Sequence, residues 1–223
     1  MPHARISRDF LRREPRSGVA VVIDVLRFST TLCALLRAGR RRIRVARDPE
    51  GLASVRDLDC ADVFSEAPFR GPGRRFDNSP HQASQSRGNR PVYVTTATGS
   101  KAVFAARGAD VVLIACFANF DAVLRLLSRT RRRVQLLPAG VLEDELCAGA
   151  LREALAGDRL AAEKALARLR QGPRMAQFLR STPRHGDKDL ALCLTLNSLP
   201  VVPEAVFCPS DPAIARVRRA ARS

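Results

Sequence analysis

At 223 residues the chain can bury one sizeable core and reads as a single domain. A hydrophobic content of 46% excludes an intrinsically disordered chain, and no run approaches the roughly 18–20 apolar residues of a membrane span. The net charge of +16 is carried almost wholly by arginines scattered from Arg5 to Arg222, and aromatics are only 5%, so a nucleic-acid partner is not expected.

Met1 to Gly18 is arginine-rich and lacks the apolar run of a signal peptide, which predicts a cytoplasmic location. Val19 to Val25 is an apolar, β-branched run suited to a buried parallel strand. Asp24 stands at its end, and Ser29-Thr30-Thr31 offers N-cap chemistry for a helix running to about Ala38 and stopped by Gly39. Ile43 to Ala46 then completes a βαβ unit. From Ser65 to Arg90 the sequence holds Gly71, Pro72, Gly73, Pro80 and Gly88 with few apolar residues, which predicts a long irregular loop. Such a loop either covers a substrate or is a plain surface insertion.

A second unit follows: strand Pro91 to Thr95, helix Lys101 to Ala106, the stop Gly108, and strand Val111 to Ala115. Thr31 and Ser100 each lie eight residues before their closing glycines, so the two units resemble a degenerate internal repeat, with chance as the alternative. Asn119 to Ser128 reads as helix, Val134 to Pro138 as strand, and Glu143 to Ala156 as helix. Gly157 to Leu179 is helical and amphipathic with a break at Gly172-Pro173. A turn-rich segment holding Asp189 leads to Val201 to Phe207, expected as an edge strand, and a basic tail. The alternation predicts an α/β fold, a three-layer α/β/α sandwich on a mainly parallel or mixed sheet. Its core spans about residues 19–155, and a helical segment and edge strand over about 157–210 complete the domain.

The six cysteines form no C-x-x-C pair and mostly sit in apolar runs, so buried free thiols are expected rather than zinc or disulfides. His3, His81 and His185 fall in the tail or in loops and read as solvated side chains. No nucleophile elbow and no P-loop pattern is present.

Ligands of open parallel sheets bind beyond the C-terminal strand ends. There the sequence places Asp24, Arg27, Ser29, Thr30 and Thr31, then Glu66, then Thr95, Thr96, Thr98, Gly99 and Ser100, then Glu143, Asp144 and Glu145. All are expected at the same end of successive strands. Carboxylates from several loops suit Mg²⁺, a hard ion that takes oxygen ligands. Helix starts rich in Ser, Thr and Gly suit phosphate, and Arg27 can add bidentate recognition of an anion. Each feature alone has a plain alternative, a helix cap or a favourable dipole contact.

Val22-Ile23-Asp24-Val25-Leu26-Arg27-Phe28-Ser29-Thr30-Thr31 resembles the opening motif of the 2-phosphosulfolactate phosphatases. Ser65-Glu66, Asn78-Ser79-Pro80, Thr95 to Ser100, and Leu142 to Gly149 follow in that family's order, and Cys116 to Asn119 is similar as well. The resemblance spans about Val19 to Leu155, with a fainter echo at Asp189 and Val201 to Pro203. It departs from the family in having Ser65 before the glutamate, Thr98 before the glycine, and a shortened segment before Asn78.

What the resemblance implies is Mg²⁺-dependent hydrolysis of 2-phosphosulfolactate, a step of coenzyme M biosynthesis, or of a related 2-hydroxy acid phosphate ester. Asp24, Arg27 and Glu66 would be catalytic. Asp24, Glu66, and one or both of Glu143 and Asp144 would hold the metal. Arg27, Ser29, Thr30, Asn78, Ser79, Thr95, Thr96, Gly99 and Ser100 would bind the substrate. A homodimer stays open, as does the alternative of an inactive member that binds an anionic metabolite. The haloacid-dehalogenase phosphatases also place an Asp after a first strand, but they carry a second Asp two positions later, where this chain has Leu26.

Overall fold

The computed structural model describes residues 4–7, 17–53, 55–67, 70–182 and 184–221; His3, Arg222 and most of the arginine-rich N-terminal segment lie outside them. The first half of the chain forms β1 (Ala4–Ile6), β2 (Val19–Ile23), α1 (Phe28–Arg37), β3 (Ile43–Ala46), β4 (Asp62–Ser65), β5 (Arg74–Asp77), α2 (Pro80–Gln85), β6 (Val92–Thr95) and α3 (Gly99–Ala105). The second half forms β7 (Val111–Ala115), α4 (Phe120–Arg129), β8 (Val134–Pro138), α5 (Leu142–Leu155), α6 (Ala161–Gln171), α7 (Arg174–Ser181), α8 (Gly186–Leu194), β9 (Pro203–Cys208) and β10 (Asp211–Arg219). The fold is α/β on one ten-stranded mixed sheet, in keeping with the expected three layers.

The strand order is β1-β8-β2-β7-β9-β10-β3-β6-β4-β5. β1, β8, β2 and β7 form one parallel block, and β3, β6, β4 and β5 form another. Between them lies the β9-β10 hairpin, antiparallel to β7 on one side and to β3 on the other. Three antiparallel steps reverse direction, so the two blocks run oppositely. Reading the order from either end exchanges β2 with β6, β7 with β3, and β9 with β10. The two units expected as a repeat thus hold matching places in the strand order on either side of the hairpin, and each unit carries one strand in each block.

The structure departs from the sequence expectations in three places. Val201 to Phe207 does not supply an edge: β9 is interior, because the basic tail itself becomes β10. In that tail Ala215 and Val217 pack into the main core, Ile214 into a smaller cluster on the other face, and Arg216, Arg218 and Arg219 are exposed. The stretch from Ser65 to Arg90 is not a structureless loop, since it contains edge strand β5 and helix α2. Ser79 caps α2 by accepting from the Gln82 N–H at 3.2 Å, and Pro80 follows at the first helical position. The turn-rich segment around Asp189 is likewise helical, as α8.

The five residues of β2 are all buried, as are nine of the ten in α1, which explains why neither shows an alternating pattern. Cys33, Cys116, Cys147 and Cys193 are free and buried as expected, but Cys60 is exposed and Cys208 half-buried. No helix among the described residues is long and apolar enough to cross a membrane.

Candidate functional site

The predicted site residues do not lie at the same end of successive strands. Asp24 and Asp144 follow β2 and β8 of one block, whereas Glu66 and Thr95 to Ser100 follow β4 and β6 of the oppositely running block. They meet because α3, which follows the Thr95-to-Ser100 turn, packs across the sheet against β2 and α1. β2 and β6 are five positions apart, about 24 Å in a flat sheet. Yet the Thr98 hydroxyl donates to Asp24 Oδ2 at 3.1 Å. Gly99 permits this approach: a Cβ there would lie 2.5 Å from the Phe28 ring and 2.7 Å from Asp24 Oδ2.

Asp24 is 3% exposed. Its Oδ1 accepts from the Phe28 N–H at 3.2 Å, so the first turn of α1 closes on its own preceding carboxylate. Desolvation by burial, reinforced by the negative charge of Glu66, raises its pKa to about 7 despite the Thr98 and Phe28 bonds. Asp144, in the first turn of α5, is equally buried and accepts from the Val25 N–H at 2.7 Å through Oδ1. Its Oδ2 is buried with no hydrogen-bond partner. Burial first, then the charge of Asp24, holds the Asp144 carboxyl well above the usual carboxylate range.

Glu66 is exposed and accepts from Asn78 Nδ2 at 3.1 Å and from the Ala97 N–H at 3.3 Å. Glu143 is fully buried and Arg174 of α7 grips it through Nε at 2.9 Å and Nη2 at 2.7 Å, while its charge also bears on Asp24 and Asp144. Among the described residues no three His, Cys, Asp or Glu side chains are grouped to hold a metal ion. Asp24 and Asp144 form a buried carboxylate pair without a cationic partner, with Glu66 and Glu143 close enough to raise Asp24.

The expected substrate-binding hydroxyls are mostly committed within the protein. Ser29 Oγ accepts from the Asp24 N–H, Thr30 Oγ1 donates to the Val25 carbonyl, and Ser100 Oγ accepts from the Thr96 N–H. Thr96 returns the favour by accepting from the Ser100 N–H. The Ser79 proton goes to Asp189 Oδ1 at 2.6 Å, so this hydroxyl has none left for an anion. The Thr95 hydroxyl at the end of β6 is different, being buried without a partner.

Arg27, at the N-cap of α1, is buried between two carboxylates. Nη1 donates to Asp77 at 2.8 Å and to Asp189 at 2.9 Å, and Nη2 to Asp77 at 3.0 Å. Its remaining donors, on Nε and Nη2, are not taken up by these two carboxylates. The Phe178 ring of α7 lies 5.9 Å from its guanidinium carbon. Asp77, Arg174 and Asp189 were not foreseen as site residues; only the isolated echo at Asp189 hinted at one of them.

Beyond geometry, the sequence pattern of the 2-phosphosulpholactate phosphatase family matches residues 7–206. A probable 2-phosphosulfolactate phosphatase of Symbiobacterium thermophilum is 35% identical over 83% of this chain and 90% of its own length. A similarly named protein of Synechococcus sp. is 31% identical over 88% of this chain and 93% of its own. The 2-phosphosulfolactate phosphatase of Methanothermobacter thermautotrophicus is 29% identical over 69% and 68%. With buried acids after β2 and β8 facing the Thr95-to-Ser100 turn, and this match over most of its length, the chain belongs to the 2-phosphosulpholactate phosphatase family.

Proposed function

We propose that the protein is a Mg²⁺-dependent phosphatase that hydrolyses 2-phosphosulfolactate, or a related phosphate ester of a 2-hydroxy acid, to the alcohol and phosphate. The observation that carries this reading is the buried pair Asp24 and Asp144, with one oxygen of Asp144 lacking any protein partner. Two desolvated carboxylates side by side are costly unless a proton or a cation joins them. The donor set is all oxygen, which suits Mg²⁺, and this ion commonly takes only one or two carboxylates and leaves its other positions to water and substrate.

Asp24 and Asp144 would hold the ion, with Glu66 at the exposed rim reaching it directly or through water. Bound there, the metal would offset phosphate charge and lower the pKa of an attacking water. The protein's own groups do the positioning. Thr98 and the Phe28 N–H fix the two Asp24 oxygens, and the Val25 N–H fixes Asp144 Oδ1. The partnerless Thr95 hydroxyl and the uncommitted donors of Arg27 are the groups available to a substrate anion. Their positive charge and O–H would stabilise negative charge on the transferring phosphoryl group.

The experiment is a panel of 2-hydroxy acid phosphates assayed for phosphate release with Mg²⁺ and with EDTA. Asp24→Asn and Asp144→Asn should each lower kcat by at least about 100-fold, as losses of groups that act on the reacting phosphate do. Wild-type turnover in either variant contradicts the assignment.

A further inference from the structure

Asp189 has no part in the mechanism described so far, yet it joins three different residues, Arg27, Ser79 and His81. It lies in the first turn of α8 and is fully buried. Its Oδ2 accepts from Arg27 Nη1 at 2.9 Å, and its Oδ1 accepts from Ser79 Oγ at 2.6 Å and from the His81 N–H at 3.0 Å. These partners are the N-cap of α1 and the first turn of α2, distant in the chain by 162 and 110 residues for Arg27 and Ser79.

Both loops lead directly to the acids of the site. Arg27 is three residues beyond Asp24, and Ser79 follows Asn78, whose side chain donates to Glu66. One carboxylate therefore sets the spacing between the segment that carries Asp24 and the segment that steadies Glu66. Asp77 binds the same guanidinium, but its side chain is 35% exposed, against 0% for Asp189. Water and solutes compete for the Asp77 contact, whereas the Asp189 contact is shielded and strong.

We propose that Asp189 is the positioning residue of this site. It acts through Arg27 and Ser79: its buried charge locks the guanidinium in one orientation and joins the caps of α1 and α2, so that the remaining Arg27 donors meet the substrate anion pre-aligned. This rests on the phosphatase reading for its kinetic readout only.

The test is a cycle of Asp189→Asn, Arg27→Gln and the double variant, with Asp77→Asn beside it. An asparagine at 189 can still accept from Ser79 and His81 but turns an NH₂ group toward the guanidinium. Asp189→Asn should raise KM for the phosphate ester about 30- to 100-fold with a smaller change in kcat. In the Arg27→Gln background the same change should cost less than about 3-fold, because its target is already gone. Asp77→Asn should cost less than about 5-fold, as exposed pairs contribute little.

A second readout needs no activity: the NMR signal of the Arg27 guanidinium N–H should be protected from exchange in the wild type, retained in Asp77→Asn, and lost in Asp189→Asn. Additive losses across the cycle, or an unchanged guanidinium signal in Asp189→Asn, overturn the proposal. Should Asp189→Asn not fold, Ser79→Ala replaces it, with an expected loss of about 10-fold in kcat/KM, and wild-type kinetics there overturn it too. A wild type inactive on every ester would remove the phosphatase reading while the guanidinium signal still decides the role of Asp189.

Discussion

Replacing Asp24 by asparagine should stabilise the metal-free protein while abolishing its function. The carboxyl has a folded-state pKa of about 7 against an ordinary value of 3.8, with burial the main cause. Between those values the folded protein holds a proton that the unfolded chain has released. Stability therefore falls as pH rises through that window, and the full penalty is present above pH 7. At about 1.4 kcal/mol per pKa unit the penalty is at most about 4 kcal/mol. Asparagine has no charge to desolvate, and its carbonyl oxygen can still accept from the Phe28 N–H. Differential scanning calorimetry in EDTA should find Asp24→Asn more stable than wild type at pH 8, by about 10 °C in Tm for a chain of this size. At pH 4 the two should converge. Added Mg²⁺ should raise the Tm of the wild type at pH 8 and leave that of the variant unchanged. A variant less stable than wild type at pH 8, or a difference independent of pH, refutes this reasoning.

Gly99→Ala should lower kcat/KM by more than about 10-fold and destabilise by about 1–3 kcal/mol, since the added methyl collides with Phe28 and Asp24; a kinetic and denaturant comparison checks both. Arg174→Met leaves Glu143 buried without its partner and should cost about 3 kcal/mol, most of it recovered by adding Glu143→Gln, as urea unfolding of the single and double variants would show. A thiol reagent should label Cys60 and Cys208 quickly in the native protein, Cys208 aided by a thiol pKa that the Ser210 hydroxyl lowers. Cys33, Cys116, Cys147 and Cys193 should react only on unfolding, and rapid labelling of any of the four would contradict their burial.

Much of the fold is legible because its core strands are buried on both faces and read as plain apolar runs: β2, β7 and β8 each fall where the sequence puts them. Their arrangement is less legible. Nothing local in Asp211 to Arg219 separates a solvated basic tail from a strand, because its apolar positions are only Pro212, Ala213, Ile214, Ala215 and Val217, and its pairing partners are distant. Missing β10 made β9 an edge and concealed the reversal between the blocks. α2 and α8 were missed because short helices whose burial comes from tertiary contacts carry weak periodicity.

At the site, the residue types at strand ends located Asp24, Glu66, Asp144 and the Thr95-to-Ser100 turn. Their hydrogen bonds could not be read the same way. That Ser79 gives its proton to Asp189, or that Glu143 belongs to Arg174, depends on α8 and α7, elements more than 30 residues away in each case. The Thr98 departure from the family pattern is used here, since its hydroxyl binds Asp24.

Phosphate release from 2-phosphosulfolactate by the purified protein, measured with Mg²⁺ and after its removal by EDTA, tests the central claim most directly. Turnover with Mg²⁺ should disappear in EDTA, return on adding the metal back, and be absent in Asp24→Asn. No release with Mg²⁺ from this ester or from phospholactate and phosphoglycolate, or release that EDTA and Asp24→Asn leave untouched, would contradict it.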